Sequence, residues 1–142
     1  MSEAITPEEA EERMDTGWAY LDVRSIPEFE GGHPPGAFNV PLKHLENGQM
    51  VDNPDFLKVV EAAFAKDAKL ILACKAGGRS KAAVAKLEAA GFTQLADQVN
   101  GFDGKRGTFV EMVEPGWQPS GLPVTAEVEA GRDYASLAAK AE

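Results

Sequence analysis

Cys74 is the only cysteine of the chain, and it opens the run Cys74-Lys75-Ala76-Gly77-Gly78-Arg79-Ser80. A lone thiol excludes an internal disulfide framework and a cysteine-cluster metal site. What remains for it is nucleophilic chemistry or simple burial. Three features of the run favour a thiolate, the form of cysteine that attacks. Two adjacent glycines let the loop turn with its amide N–H groups inward, as a nest for an anion. The helix expected after the loop points its positive dipole end into it. Lys75 and Arg79 add cationic charge. The bland alternative is an inert core residue, because free cysteine is among the most buried types. Gly-Gly, Arg and a helix start, all at the end of an apolar strand, weigh against it.

The charge distribution points the same way. Lys66, Lys69, Lys75, Arg79, Lys81 and Lys86 share the stretch 66–86 with one acid, Asp67, for a local sum of +5 in a chain of net charge −9. A cationic island around the thiol of an acidic protein suits a small anionic substrate. Its expected binding residues are Lys75, Ala76, Gly77, Gly78, Arg79 and Ser80. No metal and no cofactor is expected.

Such a thiol needs a rigid strand behind it and a helix ahead. Lys69 to Ala73 reads as the strand. Ser80 to Ala90 reads as the helix, with Ala83, Val84, Leu87 and Ala90 on one face and Gly91 just past its end. Upstream, Thr6-Pro7-Glu8-Glu9 is a helix start with a capping box. Trp18 to Val23 is a strand buried on both faces, and Ile26 to Glu30 a helical turn. His33-Pro34-Pro35-Gly36 is a loop, since proline lacks the N–H that regular structure needs. Ala37 to Pro41 is a short extended piece. Asn53-Pro54-Asp55 opens a helix whose stripe is Phe56, Val59, Val60, Ala63 and Phe64. Gln94 to Val99 is one more strand. Alternating strands and helices predict an α/β domain, its sheet mostly parallel and flanked by helices on both faces. After Gly101 the Gly- and Pro-rich sequence suits a long ordered loop or lid. An Ala- and charge-rich tail over 125–142 is either helical or frayed.

With 142 residues, 44% of them hydrophobic, the chain is sized for one domain with a real core. Its negative charge argues against nucleic acid or an anionic membrane as partner. No apolar run approaches the roughly eighteen residues of a membrane span. Met1 to Asp15 carries six acids and one Arg, the opposite of a secretory leader. A soluble cytoplasmic domain is the expectation.

The Cys74–Ser80 run resembles the Cys-x-x-Gly-x-Arg-Ser loop of single-domain rhodaneses at every fixed position. Leu21-Asp22-Val23-Arg24, Glu28-Phe29 and Gly32-His33-Pro34-Pro35-Gly36-Ala37-Phe38-Asn39-Val40-Pro41 are similar to the family's upstream signature. Gly91-Phe92, Asn100-Gly101-Phe102 and Gly121-Leu122-Pro123 also fit, so the resemblance spans about residues 5 to 124. It implies a rhodanese-like domain over 1–124 and a catalytic Cys74 in a cradle-shaped loop. It also implies a sulfurtransferase: a small anionic donor such as thiosulfate loads Cys74, and a persulfide passes its outer sulfur to cyanide, a thiol or a partner protein. Covalent catalysis of this type gives ping-pong kinetics.

Other residues take supporting parts. Asp22 and Arg24 flank Val23 and either pair with each other or reach toward the loop, positioning rather than touching substrate. His33 is a structural residue whose ring ties its turn to backbone. His44 is read as solvated surface. Lys105 and Arg106 either line the mouth or form an ordinary surface pair, and Trp117 packs the terminal segment. Two other functions compete. A cysteine phosphatase or arsenate reductase also cradles an oxyanion, but spaces its pair Cys-x5-Arg; here four residues separate Cys74 from Arg79, and Ala73 stands where those enzymes carry His. A persulfide carrier or interaction module with little turnover is the other.

Overall fold

The computed structural model describes residues 2–75, 78–106 and 112–142. In chain order the elements are β1 (Ser2–Ile5), α1 (Pro7–Met14), β2 (Ala19–Asp22), α2 (Ile26–Glu30), β3 (Phe38–Asn39), β4 (Lys43–Glu46), β5 (Gln49–Asp52), α3 (Phe56–Ala63), β6 (Lys69–Ala73), α4 (Gly78–Ala89), β7 (Gln94–Gln98), β8 (Gly104–Arg106), β9 (Met112–Pro115) and α5 (Tyr134–Ala139).

Five strands form one sheet in the order β1-β7-β6-β2-β3, every neighbouring pair parallel. Side chains of a strand alternate between faces, so β6 serves two cores. Leu70, Leu72 and Cys74 join a cluster with Phe56, Val59 and Val60 of α3, Ala83, Val84 and Leu87 of α4, and Leu137 of α5. Ile71 and Ala73 join the opposite cluster, with Ala10 of α1, Phe29 of α2 and Trp117. Helices therefore cover both faces, as the alternation of elements predicts, and the apolar runs of β2 and β6 follow from burial on two sides.

This winding locates the site. From β2 the chain leaves through α2, on the Phe29 face, and from β6 it leaves through α4, on the Val84 face. The two strands are hydrogen-bonded neighbours. Adjacent strands whose connections depart to opposite faces leave a crevice at their carboxyl ends, where ligands bind in open α/β sheets. Cys74 is the first residue after β6.

Three features depart from the expectations. β1 has no strand signal, because only Ile5 is buried; it forms by pairing with β7 at the sheet edge. Residues 43–52 make an antiparallel hairpin. Its turn is Asn47-Gly48, at φ of 52° and 77°, the left-handed pair that a two-residue hairpin requires. Part of the expected long loop after Gly101 is a second hairpin, β8 with β9. The segment 125–142 follows the helical alternative in α5 and packs on the domain. Thr125 exchanges backbone bonds with His33 in both directions at 2.9 Å, and Leu137 lies in the core.

Trp117 is buried, meets Tyr20 edge to face at 5.4 Å and donates its Nε1–H to the Pro123 carbonyl. It does pack the terminal segment onto the domain. His44 is half-buried rather than solvated, its ring 5.4 Å from that of Tyr134. The hairpin folds back far enough to offer it an aromatic partner.

Candidate active site

Cys74 is 1% exposed. The loop that starts at this residue is fastened at three places. The first is backbone. Phe102 N–H donates to the Cys74 carbonyl at 2.7 Å, and Asp103 N–H to the Lys75 carbonyl at 2.9 Å. The 101–103 turn is itself fixed from below: Gln98 Nε2 donates to the Gly101 carbonyl, and the Tyr20 hydroxyl donates to Gln98 Oε1 at 2.6 Å. Burial pushes the Tyr20 phenol far up, so it stays a neutral donor. Trp117 N–H closes the set on the Gly101 carbonyl.

This fastening needs glycine. Gly101 sits at φ +58°, and a Cβ there would lie 2.3 Å from the Cys74 carbonyl oxygen. The atom in the way is backbone, so no rotamer relieves it. Gly101→Ala is expected to cost about 2–4 kcal/mol of stability, from overpacking plus the left-handed conformation. It should also displace the start of the loop. Urea unfolding measures the first effect, and the alkylation rate of Cys74 in the folded protein measures the second. An alanine variant as stable as the parent would show that the 101–103 turn shifts at no cost and does not hold the loop.

The second fastening is an ion pair. Arg79 gives Nη1 to Glu28 Oε1 at 2.7 Å and Nη2 to Oε2 at 3.0 Å, a bidentate fork. Glu28 is held in turn by Ser25, whose N–H and hydroxyl both donate to Oε1. Burial alone would raise the Glu28 carboxyl, but the bonds from Arg79 and Ser25 outweigh it and bring it from 4.5 to about 2. An acid whose folded value is depressed stabilises the protein above its unfolded value. That stability is lost as pH falls from about 4.5 toward 2. The contribution at neutral pH is about 2 kcal/mol after allowing for solvent screening of a partly exposed pair. Glu28→Gln should flatten the acid limb of the stability curve over that window; an unchanged limb would place the titrating group elsewhere.

The third fastening is Ser80. Its hydroxyl donates to Asp97 Oδ1 at 2.7 Å, and both residues are buried. Burial raises the Asp97 carboxyl, and the Ser80 bond opposes this in part. Ser80 thus joins α4 to β7.

The expected substrate-binding residues therefore divide. Lys75 is exposed, with Nζ 3.8 Å from Asp103 Oδ2. Gly78 is the first residue of α4 and is exposed. Arg79 and Ser80 have side chains turned onto the protein. Ala76 and Gly77 lie outside the described residues, as do the side chains of Lys105 and Arg106. Asp22 and Arg24 pair with each other, with Arg24 Nη2 2.8 Å from Asp22 Oδ2, both almost fully buried. Arg24 Nη2 also donates to the Gly32 carbonyl at 2.6 Å, and the guanidinium lies 4.3 Å above the Phe102 ring. The pair thereby links the end of β2 to the 101–103 turn that carries the loop.

His33 is structural, as its place before Pro34-Pro35 suggests. It stacks on Phe29 at 3.7 Å, with Nδ1 2.6 Å from the Phe29 carbonyl and Nε2 3.0 Å from that of Glu127. Glu28, Asp97, Gly101 and Asp103 belong to the site and were not singled out as site residues by sequence reasoning. Glu28 carries a signal: Ser25-x-x-Glu28 is a capping box. Gly101 carries one in the Asn100-Gly101-Phe102 run of the resemblance, whereas Asp97 and Asp103 carry none, because each acts through a partner distant in sequence. Among the described residues no group of three or more His, Cys, Asp or Glu could hold a metal ion, and no helix is long and apolar enough to cross a membrane.

A buried cysteine at the end of a central strand, in a loop braced on both sides, can act as a covalent nucleophile toward a small molecule. Comparisons with known proteins identify the family of the chain. A family model described as Rhodanese-like domain matches residues 6–105. The chain is 38% identical over 117 residues to Thiosulfate sulfurtransferase 16, chloroplastic, of Arabidopsis thaliana, covering 82% of this chain and 88% of that protein. It is 39% identical over 89 residues to Protein HIGH ARSENIC CONTENT 1, mitochondrial, of the same plant, covering 63% of this chain and 53% of the relative. It spans about half the length of two further curated relatives. Among solved structures it is similar to Rv0390 from M. tuberculosis, with TM-score 0.75 and 24% identity, over 89% of this chain and 98% of that one. That likeness concerns the fold.

Proposed function

The chain belongs to the rhodanese-like domain family, and on that premise we propose that it is a thiosulfate sulfurtransferase working through a persulfide on Cys74. The observation that carries the reading is the position of Cys74: the sole thiol, at the carboxyl end of β6, where the connections of β2 and β6 part to opposite faces.

The chemistry balances without an outside oxidant. The Cys74 thiolate attacks the outer sulfur of thiosulfate. The S–S bond of the donor breaks, and sulfite leaves with its electron pair. Cys74 now carries the outer sulfur as a persulfide anion. A nucleophile then attacks that sulfur, the Cys74–sulfur bond breaks toward Cys74, and the thiolate returns. Cyanide leaves as thiocyanate; a thiol leaves as its own persulfide. The loop's task is to hold an anion at both stages. Arg79 serves by bracing the loop against α2 through Glu28, and Lys75 by presenting a charge at the rim.

The test is steady-state kinetics with thiosulfate and cyanide. Parallel double-reciprocal lines are expected, because sulfite departs before cyanide reacts. If the cationic stretch 66–86 draws the donor in, kcat/KM for thiosulfate falls as ionic strength rises, with kcat nearly constant. Intersecting lines would contradict the persulfide route, and a salt-independent kcat/KM would remove steering from the account.

A second reading is favoured by the relative named for arsenic content: the same thiol directed at an arsenic oxyanion. The loop is one residue shorter than the Cys-x5-Arg cradle suited to tetrahedral oxyanions, which favours sulfur. Arsenite formation from arsenate, supported by a thiol reductant at a rate exceeding sulfur transfer, would reverse that order.

A further inference from the structure

Arg24 does more than neutralise Asp22. Its Nε and Nη2 are taken up by Asp22 and the Gly32 carbonyl. Its Nη1 has no hydrogen-bond partner among the described residues. Every fully buried side-chain nitrogen and oxygen among them has one, so Nη1 keeps contact with solvent although the side chain is only 5% exposed. Arg24 reaches solvent in a cleft of about 250 Å³ beside the Cys74 loop.

The cleft has a definite chemistry. Arg24, almost fully buried, lines it above the Phe102 ring. Pro27 and Phe102 supply apolar wall, and Lys75 stands at the rim. Two acids also line it. Glu28 is engaged by Arg79, and Asp103 stands near Lys75. A guanidinium with one nitrogen left over, with a lysine nearby, suits one carboxylate group. The two acids hold the summed charge near zero, which disfavours a dianion such as phosphate. The apolar wall suits a short carbon chain. The cleft adjoins the site through Lys75, the residue after Cys74, and Phe102, whose N–H donates to the Cys74 carbonyl.

We propose that this cleft is a binding site for a small organic monocarboxylate, recognised by Arg24 Nη1 and Lys75. It deepens the sulfurtransferase reading, on which its catalytic consequence rests. The carboxylate comes either from the sulfur acceptor itself, as in a thiol acid, or from a separate molecule seated beside the loop.

Binding is tested first without donor or acceptor, so that it does not depend on sulfur transfer. Propionate is titrated calorimetrically into the wild type, Arg24→Lys and Gly31→Glu. Arg24→Lys keeps a positive charge beside Asp22 but loses the second guanidinium nitrogen. Gly31 lines the cleft at an ordinary helical φ of −77°. Glutamate there brings a competing carboxylate and spares Asp22, so it keeps the test decisive if the lysine variant fails to fold. The expected result is saturable propionate binding to the wild type, at least ten-fold weaker in the variants that fold, and none with methyl propionate. Absent binding, or equal affinity in Gly31→Glu, overturns the site.

The source is then resolved by turnover with 3-mercaptopropionate and its methyl ester as acceptors. If Gly31→Glu lowers the ratio of their kcat/KM values at least ten-fold, the carboxylate is the acceptor's own. If the ratio is unchanged while propionate binding is lost, a separate carboxylate occupies the site. Propionate binding in a protein that transfers no sulfur would sustain the site and sink the sulfurtransferase reading.

Discussion

Cys74→Ser is expected to reduce thiocyanate formation from thiosulfate and cyanide to the uncatalysed background. A serine hydroxyl does not ionise at neutral pH as a thiol can, and an oxygen in that place cannot carry a sulfane sulfur through the same exchange. The chain holds no second cysteine to take over. The fold should persist. Cys74 is one member of a large apolar cluster, and burying a hydroxyl in place of the thiol costs about 1–2 kcal/mol, a fraction of a domain's stability. Thermal unfolding of the variant therefore belongs beside its kinetics. A serine variant that keeps a tenth of the wild-type rate would place the chemistry elsewhere.

Arg79→Ala is expected to lower kcat/KM by about ten- to a hundred-fold, the equivalent of one lost charge-assisted bond of about 1.5–3 kcal/mol. The geometry says how that loss arises. Arg79 spends its two terminal nitrogens on Glu28, so it acts on the shape of the loop. Glu28→Gln should then reproduce much of the loss, although it removes an acid and makes the neighbourhood more positive. A purely electrostatic role for Arg79 predicts the opposite sign, since removing Glu28 would strengthen attraction of the donor. Lys81, one turn into α4 and exposed, should cost much less when changed to alanine. Equal effects at Arg79 and Lys81, with a gain at Glu28→Gln, would mean that net charge and not bracing matters.

Strongly patterned segments were legible in the sequence. β2 and β6 stand out because strands buried on both faces are mostly apolar, as Ala19-Tyr20-Leu21 and Leu70-Ile71-Leu72-Ala73 are. α1 declares itself by its cap, which the structure realises in full: Thr6 Oγ1 accepts from Glu9 N–H, and Glu9 Oε1 from Thr6 N–H. Cys74 was visible because its loop concentrates a thiol, glycines and cations in seven consecutive residues. What escaped was held together by distant partners. β1 is a strand because β7 offers it an edge, and nothing in Ser-Glu-Ala-Ile says so. The 125–142 segment reads as a tail by composition, yet Thr125, Glu127 and Arg132 all bond to the 33–39 stretch. Arg79 was legible as a loop cation, but its orientation was not, because Glu28 stands 51 positions away. Ser80 and Asp97 pair across 17 positions for the same reason.

On the proposed route Cys74 carries the sulfur between donor and acceptor. The intact protein, incubated with thiosulfate and freed of it, is weighed by mass spectrometry and its Cys74 peptide is sequenced. The expected product is a protein heavier by one sulfur atom, the addition confined to the Cys74 peptide. A stoichiometric amount of cyanide should remove it with release of one thiocyanate per chain. An unmodified Cys74 in protein that nonetheless turns over thiosulfate and cyanide would contradict that route.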